Sequence, residues 1–272
     1  MAIWNYVLPV ICIAIIMVIG KSINLFFVFM VISKSIFTYC HLAVFHVICI
    51  YGYMYIWFQR KGDLMSELKL LTVTGYKGGI AKSTTAIHLA TFFSQHGKTV
   101  LADGDPNRTC ISWSQRGIDK GMPLPFTVVS EKQAPKFMRN AEFLIIDTAA
   151  RPNSTDLEEL ANGCDLLILP TVPDVLGLEP MLETAKDLPE SSLYRVLISV
   201  VPSYPSRAGE VLKTQLNSAG IPLFNTMIRR SSKVPDAALQ GVSVKALTKS
   251  RYAQAVWNEY VKVGEEIMEI IK

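Results

Sequence analysis

From residue 65 onward the chain alternates two hydrophobic rhythms. Short apolar runs predict strands at 68–74, 98–102, 124–129, 142–147, 165–170, 194–201 and 221–228. Between them, apolar positions recur at helical spacing and predict helices at 83–96, 108–117, 154–162, 174–188, 206–219, 234–240 and 250–271. The runs are continuous rather than alternating, as in strands buried on both faces. Gly97, Gly163 and Gly220 follow predicted helices, where C-cap glycines stand. Strand-then-helix repetition predicts an α/β fold, a mostly parallel twisted sheet with helices on both faces, and a ligand at the carboxyl ends of the strands. On the last helix Trp257, Tyr260, Val263, Ile267 and Ile270 share a face that reads as core, and Trp113 is expected to pack under the second strand's end. His88 and His96 read as packing or surface residues.

The first 64 residues follow another pattern. Two apolar runs, Val7 to Ile32 and Ile36 to Phe58, are each long enough to cross a bilayer, which takes about 20 apolar residues. Gln59-Arg60-Lys61 would be their cytoplasmic flank, and Ser33-Lys34-Ser35 a hairpin turn. No Asp or Glu occurs through residue 62, and Met65-Ser66-Glu67 has the form of a start placed directly before the first strand. Two readings stay open: a transmembrane hairpin, or upstream sequence outside the working protein. Either way residues 65–272 are expected to be the folded domain. Of a formal charge of +4, Lys21, Lys34, Arg60 and Lys61 against Asp63 account for +3, so the domain is near neutral and any polyanion must meet a local patch. Only Cys110 and Cys164 remain there, without the spacing of a metal site or a disulfide framework, as expected of a reduced cytoplasmic domain.

The chemistry begins where the first predicted strand gives way to the first helix, at Gly75-Tyr76-Lys77-Gly78-Gly79-Ile80-Ala81-Lys82-Ser83-Thr84. Strand, glycine turn and helix are the context of a phosphate loop. Glycines let backbone N–H groups approach phosphates, and the helix presents its positive end to the same anion. Lys82 has the reach for the β- and γ-phosphates, and the Ser83 hydroxyl can ligate Mg²⁺. A second lysine, Lys77, stands at the front of the loop, where an ordinary phosphate loop has none.

Two later strands end in acids. In Val100-Leu101-Ala102-Asp103-Gly104-Asp105-Pro106-Asn107 the two carboxylates lie two residues apart and on one side of an extended chain. One can hold Mg²⁺ or its waters and the other can position an attacking water. An Asp-Gly-Asp-Pro turn by itself carries no such meaning. Phe143-Leu144-Ile145-Ile146-Asp147-Thr148 is an apolar strand with an acid at its end, the Walker B form.

Taken together, Lys77–Thr84, Val100–Asn107 and Phe143–Thr148 resemble the ParA/MinD class of deviant Walker-A ATPases, in particular short ParA partition ATPases, over essentially all of 66–272. Carboxysome-positioning ATPases of the McdA type are close relatives. The resemblance implies ATP and Mg²⁺ as cofactors, contacts from Lys77, Gly78, Gly79, Ile80, Ala81, Lys82, Ser83 and Thr84, and a dimer with two sandwiched nucleotides. It implies that Lys77 reaches the partner's phosphates, that Asp105 positions the hydrolytic water, that Asp103 and Asp147 join Ser83 around Mg²⁺, and that Pro170, Pro173 and Pro202 shape the adenine pocket. It also implies nonspecific DNA binding by the ATP dimer, release through a ParB-like or McdB-like adaptor, and a cytoplasmic, nucleoid-associated location. Asn107 stands where the family often has Gln, and Thr148-Ala149-Ala150 where it often has Thr-Pro-Pro.

Arg229, Arg230, Lys233, Lys245, Lys249 and Arg251 concentrate basic charge in one late region, suited to phosphate contacts without base readout. Alone this would be a solvated basic surface; the resemblance turns it into a DNA patch. Other members of the superfamily fit less well. The final helix is too acidic for a MinD-like membrane anchor, iron–sulfur carriers need a Cys pair, and membrane-anchored tyrosine kinases lack the Lys77-type lysine and end in a tyrosine cluster.

Overall fold

The computed structural model describes residues 68–150, 152, 154–203 and 205–272. The predicted apolar hairpin within 1–64 lies outside the described residues. Six strands are numbered in chain order: β1 Lys69–Gly75, β2 Thr99–Asp103, β3 Thr127–Ser130, β4 Phe143–Ala150, β5 Leu166–Thr171 and β6 Tyr194–Ile198. They form one sheet in the order β3-β2-β4-β1-β5-β6, with every pairing parallel. Parallel neighbours need crossovers, and helices supply them: α1 Lys82–Phe93, α2 Thr109–Asp119, α3 Ala134–Met138, α4 Ser154–Gly163 and α5 Val175–Asp187; α6 Ala208–Ser218, α7 Lys233–Gln240 and α8 Arg251–Ile270 follow the last strand. The short helix α3 carries too little periodicity to be read from sequence.

The central strands bury both faces. Leu71 and Val73 of β1 join one core with α1 and α8, while Leu70 packs into another with Leu144, Ile146 and Val100. A third cluster lies under α4, α5 and α6 on β5 and β6. On α8, Tyr260, Val263 and Ile267 are fully buried and Trp257 and Ile270 partly so, as the helical spacing predicted. Trp113 is a buried residue of α2, the helix after the second strand, and donates its ring N–H to the Val242 carbonyl at 3.0 Å.

The predicted seventh strand at 221–228 is corrected. The segment runs beside β6 and makes only isolated parallel bridges, Val196 with Leu223 and Val201 with Arg229. The Asn225 and Thr226 N–H groups, in the middle of it, donate instead to the Glu266 carboxylate of α8, at 2.7 and 3.0 Å. The capping role predicted for glycines holds at Gly220, with φ of 72°, but not at Gly97, which is absent from the positive-φ set among the described residues. A Cβ at Gly97 would stand 2.6 Å from the carboxyl carbon of Glu142, the end of a flexible side chain that could swing aside. Gly163 is the last residue of α4 rather than a cap beyond it. Among the described residues no helix is long and apolar enough to cross a membrane.

Candidate nucleotide site

The carboxyl ends of β1, β2 and β4 meet the first turn of α1. Ile80 is buried beneath the loop, and a Cβ at Gly75 would lie 2.6 Å from its Cδ1, so a glycine at the strand's end lets the loop fold over that side chain. The turn takes left-handed backbone at Gly79 (φ 77°) and at Ala81 (φ 69°). For an alanine this costs roughly 1–2 kcal/mol, strain of the sort found where backbone is held for a ligand. Added Cβ atoms at Gly78 and Gly79 would meet nothing within 4 Å among the described residues. The loop therefore surrounds open space, and α1 enters it with no acidic residue in its first turn and no side-chain cap on its N–H groups. A phosphate fits that cradle.

Lys82 is buried and donates to the Lys77 carbonyl at 3.2 Å, which folds its ammonium back over the loop. Burial pulls its pKa down, and the Asp147 and Asp105 carboxylates push it back up. Asp103 and Asp147 pair in register on β2 and β4, and both are fully buried. Asp103 braces the turn behind it: Oδ1 accepts the Asp105 N–H at 3.1 Å and Oδ2 the Ile111 N–H at 2.9 Å. Its pKa is raised by burial against those two bonds. Asp105 accepts both the backbone N–H and the side-chain amide of Asn107, at 2.8 and 2.9 Å, and lines the cavity with Lys82.

Asp147 differs. Oδ2 accepts from the Cys110 thiol at 3.2 Å, while Oδ1 has no hydrogen-bond partner among the described residues. Burial lifts this carboxyl to about 6, against the Ser83 hydroxyl and Cys110 thiol beside it, which act to lower it. Ser83 is thus near enough to act on Asp147. A buried carboxylate oxygen without a donor, next to a hydroxyl and open phosphate space, fits a Mg²⁺ site. No group of three or more His, Cys, Asp or Glu among the described residues could hold a metal by itself, so phosphate oxygens and water would complete the coordination.

Lys82, Ser83, Asp105 and Asn107 border a cavity of about 490 Å³, whereas Asp103 and Asp147 are fully buried and do not line it. Its far wall was not legible in the sequence: Ser199 and Val200 beyond β6, Ile228 to Ser231, Val234 and Pro235, with Tyr260 contributing from α8. Val200 has φ of 55°, a strained value for a β-branched residue, at a position that reads as strand in the sequence. Pro202 is not among the described lining residues, and Pro170 lines a smaller pocket beneath the loop with Ile80. Lys77 also faces that side, and its ammonium lies 3.3 Å from Asp174, just ahead of α5.

The six basic residues predicted as one patch are divided. Arg229 and Arg230 belong to the cavity wall, and the Arg229 guanidinium pairs with Glu259 at 2.5 Å. Lys233, Lys249 and Arg251 line a separate surface groove with Tyr252, and there Lys233 pairs with Asp236 at 2.7 Å. Lys245 donates to Gln95 at 2.7 Å and lies over the Trp257 ring.

His88 is buried, as a packing residue should be. Its Nε2 accepts the Val244 N–H at 3.2 Å, so Nδ1 carries the proton and donates to the Thr84 carbonyl at 2.7 Å. The ring stacks on Tyr260, 4.6 Å away. His96 is exposed and tilts against Phe92.

Residues 71–244 match the family described as CobQ/CobB/MinD/ParA nucleotide binding domain. A maintenance of carboxysome distribution protein A from Gloeobacter kilaueensis is 30% identical over 216 residues, covering 76% of this chain and 97% of that protein. Among solved structures, an ATP complex of a Cyanothece McdA variant matches with a TM-score of 0.56 at 16% identity, covering 76% of this chain and 97% of that one. A plasmid partition protein from Borrelia burgdorferi bound to AMPPNP matches with a TM-score of 0.55 at 16% identity, covering 74% and 98%. At those identities the two structures speak to the fold.

Proposed function

The chain belongs to the CobQ/CobB/MinD/ParA nucleotide-binding family, and on that premise we propose that residues 65–272 are an ATPase unit that positions a cellular cargo through an ATP-switched dimer. The observation that carries the reading is a glycine loop whose Lys82 and Ser83 share one cavity with Asp105, with the buried Asp147 close enough to act on both and a second lysine, Lys77, in the same loop. In this reading the N–H groups of Gly78 to Thr84 bind the phosphates of ATP, and Lys82 offsets their charge. The Ser83 hydroxyl and the Asp147 carboxylate would hold Mg²⁺, while Asp103 keeps the adjoining turn in place. Mg²⁺ held there would supply neutralisation of phosphate charge. Asp105 orients the attacking water, which releases ADP and phosphate. Lys77 leaves Asp174 to meet the phosphates of a second copy.

The cargo suggested by the curated relative is the carboxysome, reached through an McdB-like adaptor, and the likeness along 97% of that relative's length supports this choice. The ATP dimer would hold to the nucleoid by nonspecific DNA contacts and leave it on hydrolysis.

The test is phosphate release and light scattering with the purified chain. Wild type should turn over ATP and double its mass with ATP. Lys77→Ala should bind nucleotide and remain monomeric, and Asp105→Ala should stay dimeric with turnover reduced at least about 100-fold, within the range of lost acid–base catalysis. Tight ATP binding by Lys82→Ala would refute the loop assignment.

A further inference from the structure

Cys110 sits in the first turn of α2, fully buried, at a point where the family resemblance assigns no role. Its sulfur touches two residues of the candidate metal site, lying 3.2 Å from Asp147 Oδ2 and 3.9 Å from the Ser83 carbonyl oxygen. A thiol has one hydrogen to give. The nearer acceptor is the carboxylate, and a charged acceptor makes the stronger bond. The other Asp147 oxygen has no partner among the described residues although the side chain is wholly enclosed.

Asp147 can turn about its side-chain bonds and exchange its oxygens unless something holds one of them. We propose that Cys110 is a positioning residue for the metal site: its S–H holds Oδ2, which leaves Oδ1 as the oxygen available to a metal. This rests on the nucleotide-and-Mg²⁺ reading above. Groups that orient a ligating carboxylate typically contribute 10–100-fold to metal affinity. A thiol is a weak donor, which places its share at the lower end. A buried cysteine also fills space as a small hydrophobe, and the two roles separate by experiment.

The test uses the full chain, a fluorescent ADP analogue and a Mg²⁺ titration, with binding in EDTA as reference. Cys110→Ala should leave nucleotide affinity in EDTA within about twofold of wild type and raise the Mg²⁺ concentration for half-maximal tightening about tenfold. Cys110→Ser keeps a donor and should stay within about threefold of wild type. An unchanged Mg²⁺ midpoint in Cys110→Ala overturns the positioning role. So does an equal loss in EDTA, which marks a packing defect, and melting curves of both variants in EDTA show whether the core has loosened. A wild-type chain that binds no nucleotide would remove the underlying reading itself, an outcome distinct from a Mg²⁺-responsive wild type with an indifferent variant.

Discussion

His88 on α1 and Asp147 on β4 are both fully enclosed, and their titrations oppose each other. Enclosure pushes His88 down to about 4 from 6.5, so its contribution to stability is present above 6.5 and lost as pH falls towards 4. Enclosure lifts Asp147 to about 6 from 3.8, so its contribution is present below 3.8 and lost as pH rises through 6. Each amounts to about 3 kcal/mol over its window. Between pH 4 and 6 one nearly offsets the other. Metal-free Asp147→Asn should therefore lose stability with acid more steeply than wild type, by up to about 1.4 kcal/mol per pH unit in that range, and be the more stable protein at pH 7. Urea melts in EDTA at three pH values measure this, and equal slopes for the two proteins would disprove it. None of this was visible in the chain's order of residues, because it depends on how thoroughly neighbours exclude water.

At the scale of elements, the front of the phosphate loop is tied to both ends of α5. Lys77 meets Asp174 just before that helix, and the Tyr76 hydroxyl donates to Asp187 at its end, 3.2 Å away. Lys77 is partly exposed, so the ion pair is worth at most about 1 kcal/mol. If Lys77 must leave Asp174 to act on a second copy, two such pairs break per dimer, and Asp174→Asn should lower the protein concentration for ATP-dependent dimerisation by up to about 30-fold. Sedimentation across a dilution series reads this directly, and weaker dimerisation in the variant would show that Asp174 serves the dimer instead. The elements themselves were legible to unequal degrees. β1, β4 and β5 are enclosed on both faces, and that environment selects continuous apolar runs. The segment at 221–228 has the same composition, yet the Glu266 carboxylate takes two of its N–H groups. A side chain some forty residues away decided between strand and bridge.

For the whole molecule, the distribution of basic residues changes the expectation for DNA. Lys249 and Arg251 lie on an exposed groove, whereas Arg229 and Arg230 line the cavity. Replacing Lys249 and Arg251 by Ala should flatten the dependence of log affinity on log salt by about 0.9 for each DNA phosphate that is no longer neutralised, with ATP present. Arg229→Ala should weaken nucleotide binding and leave that slope nearly unchanged. Fluorescence anisotropy over a salt series separates the two, and the reverse pattern would return the arginines to the DNA surface.

The order of residues determined the parallel α/β architecture, because strand and helix periods are local and their alternation admits few connections. It also determined the loop from Gly75 to Thr84, the acid that ends β2 and the acid that follows the apolar run of β4, since each motif lies within one strand–turn unit. Tertiary structure decided what those units share. It placed Cys110 on Asp147, set Val200 and Arg229 opposite the loop, enclosed His88 against Tyr260, and parted the basic patch. Burial, pairing and cavity shape arise from contacts between residues far apart along the chain, and those contacts exist only once the sheet has brought its carboxyl ends together.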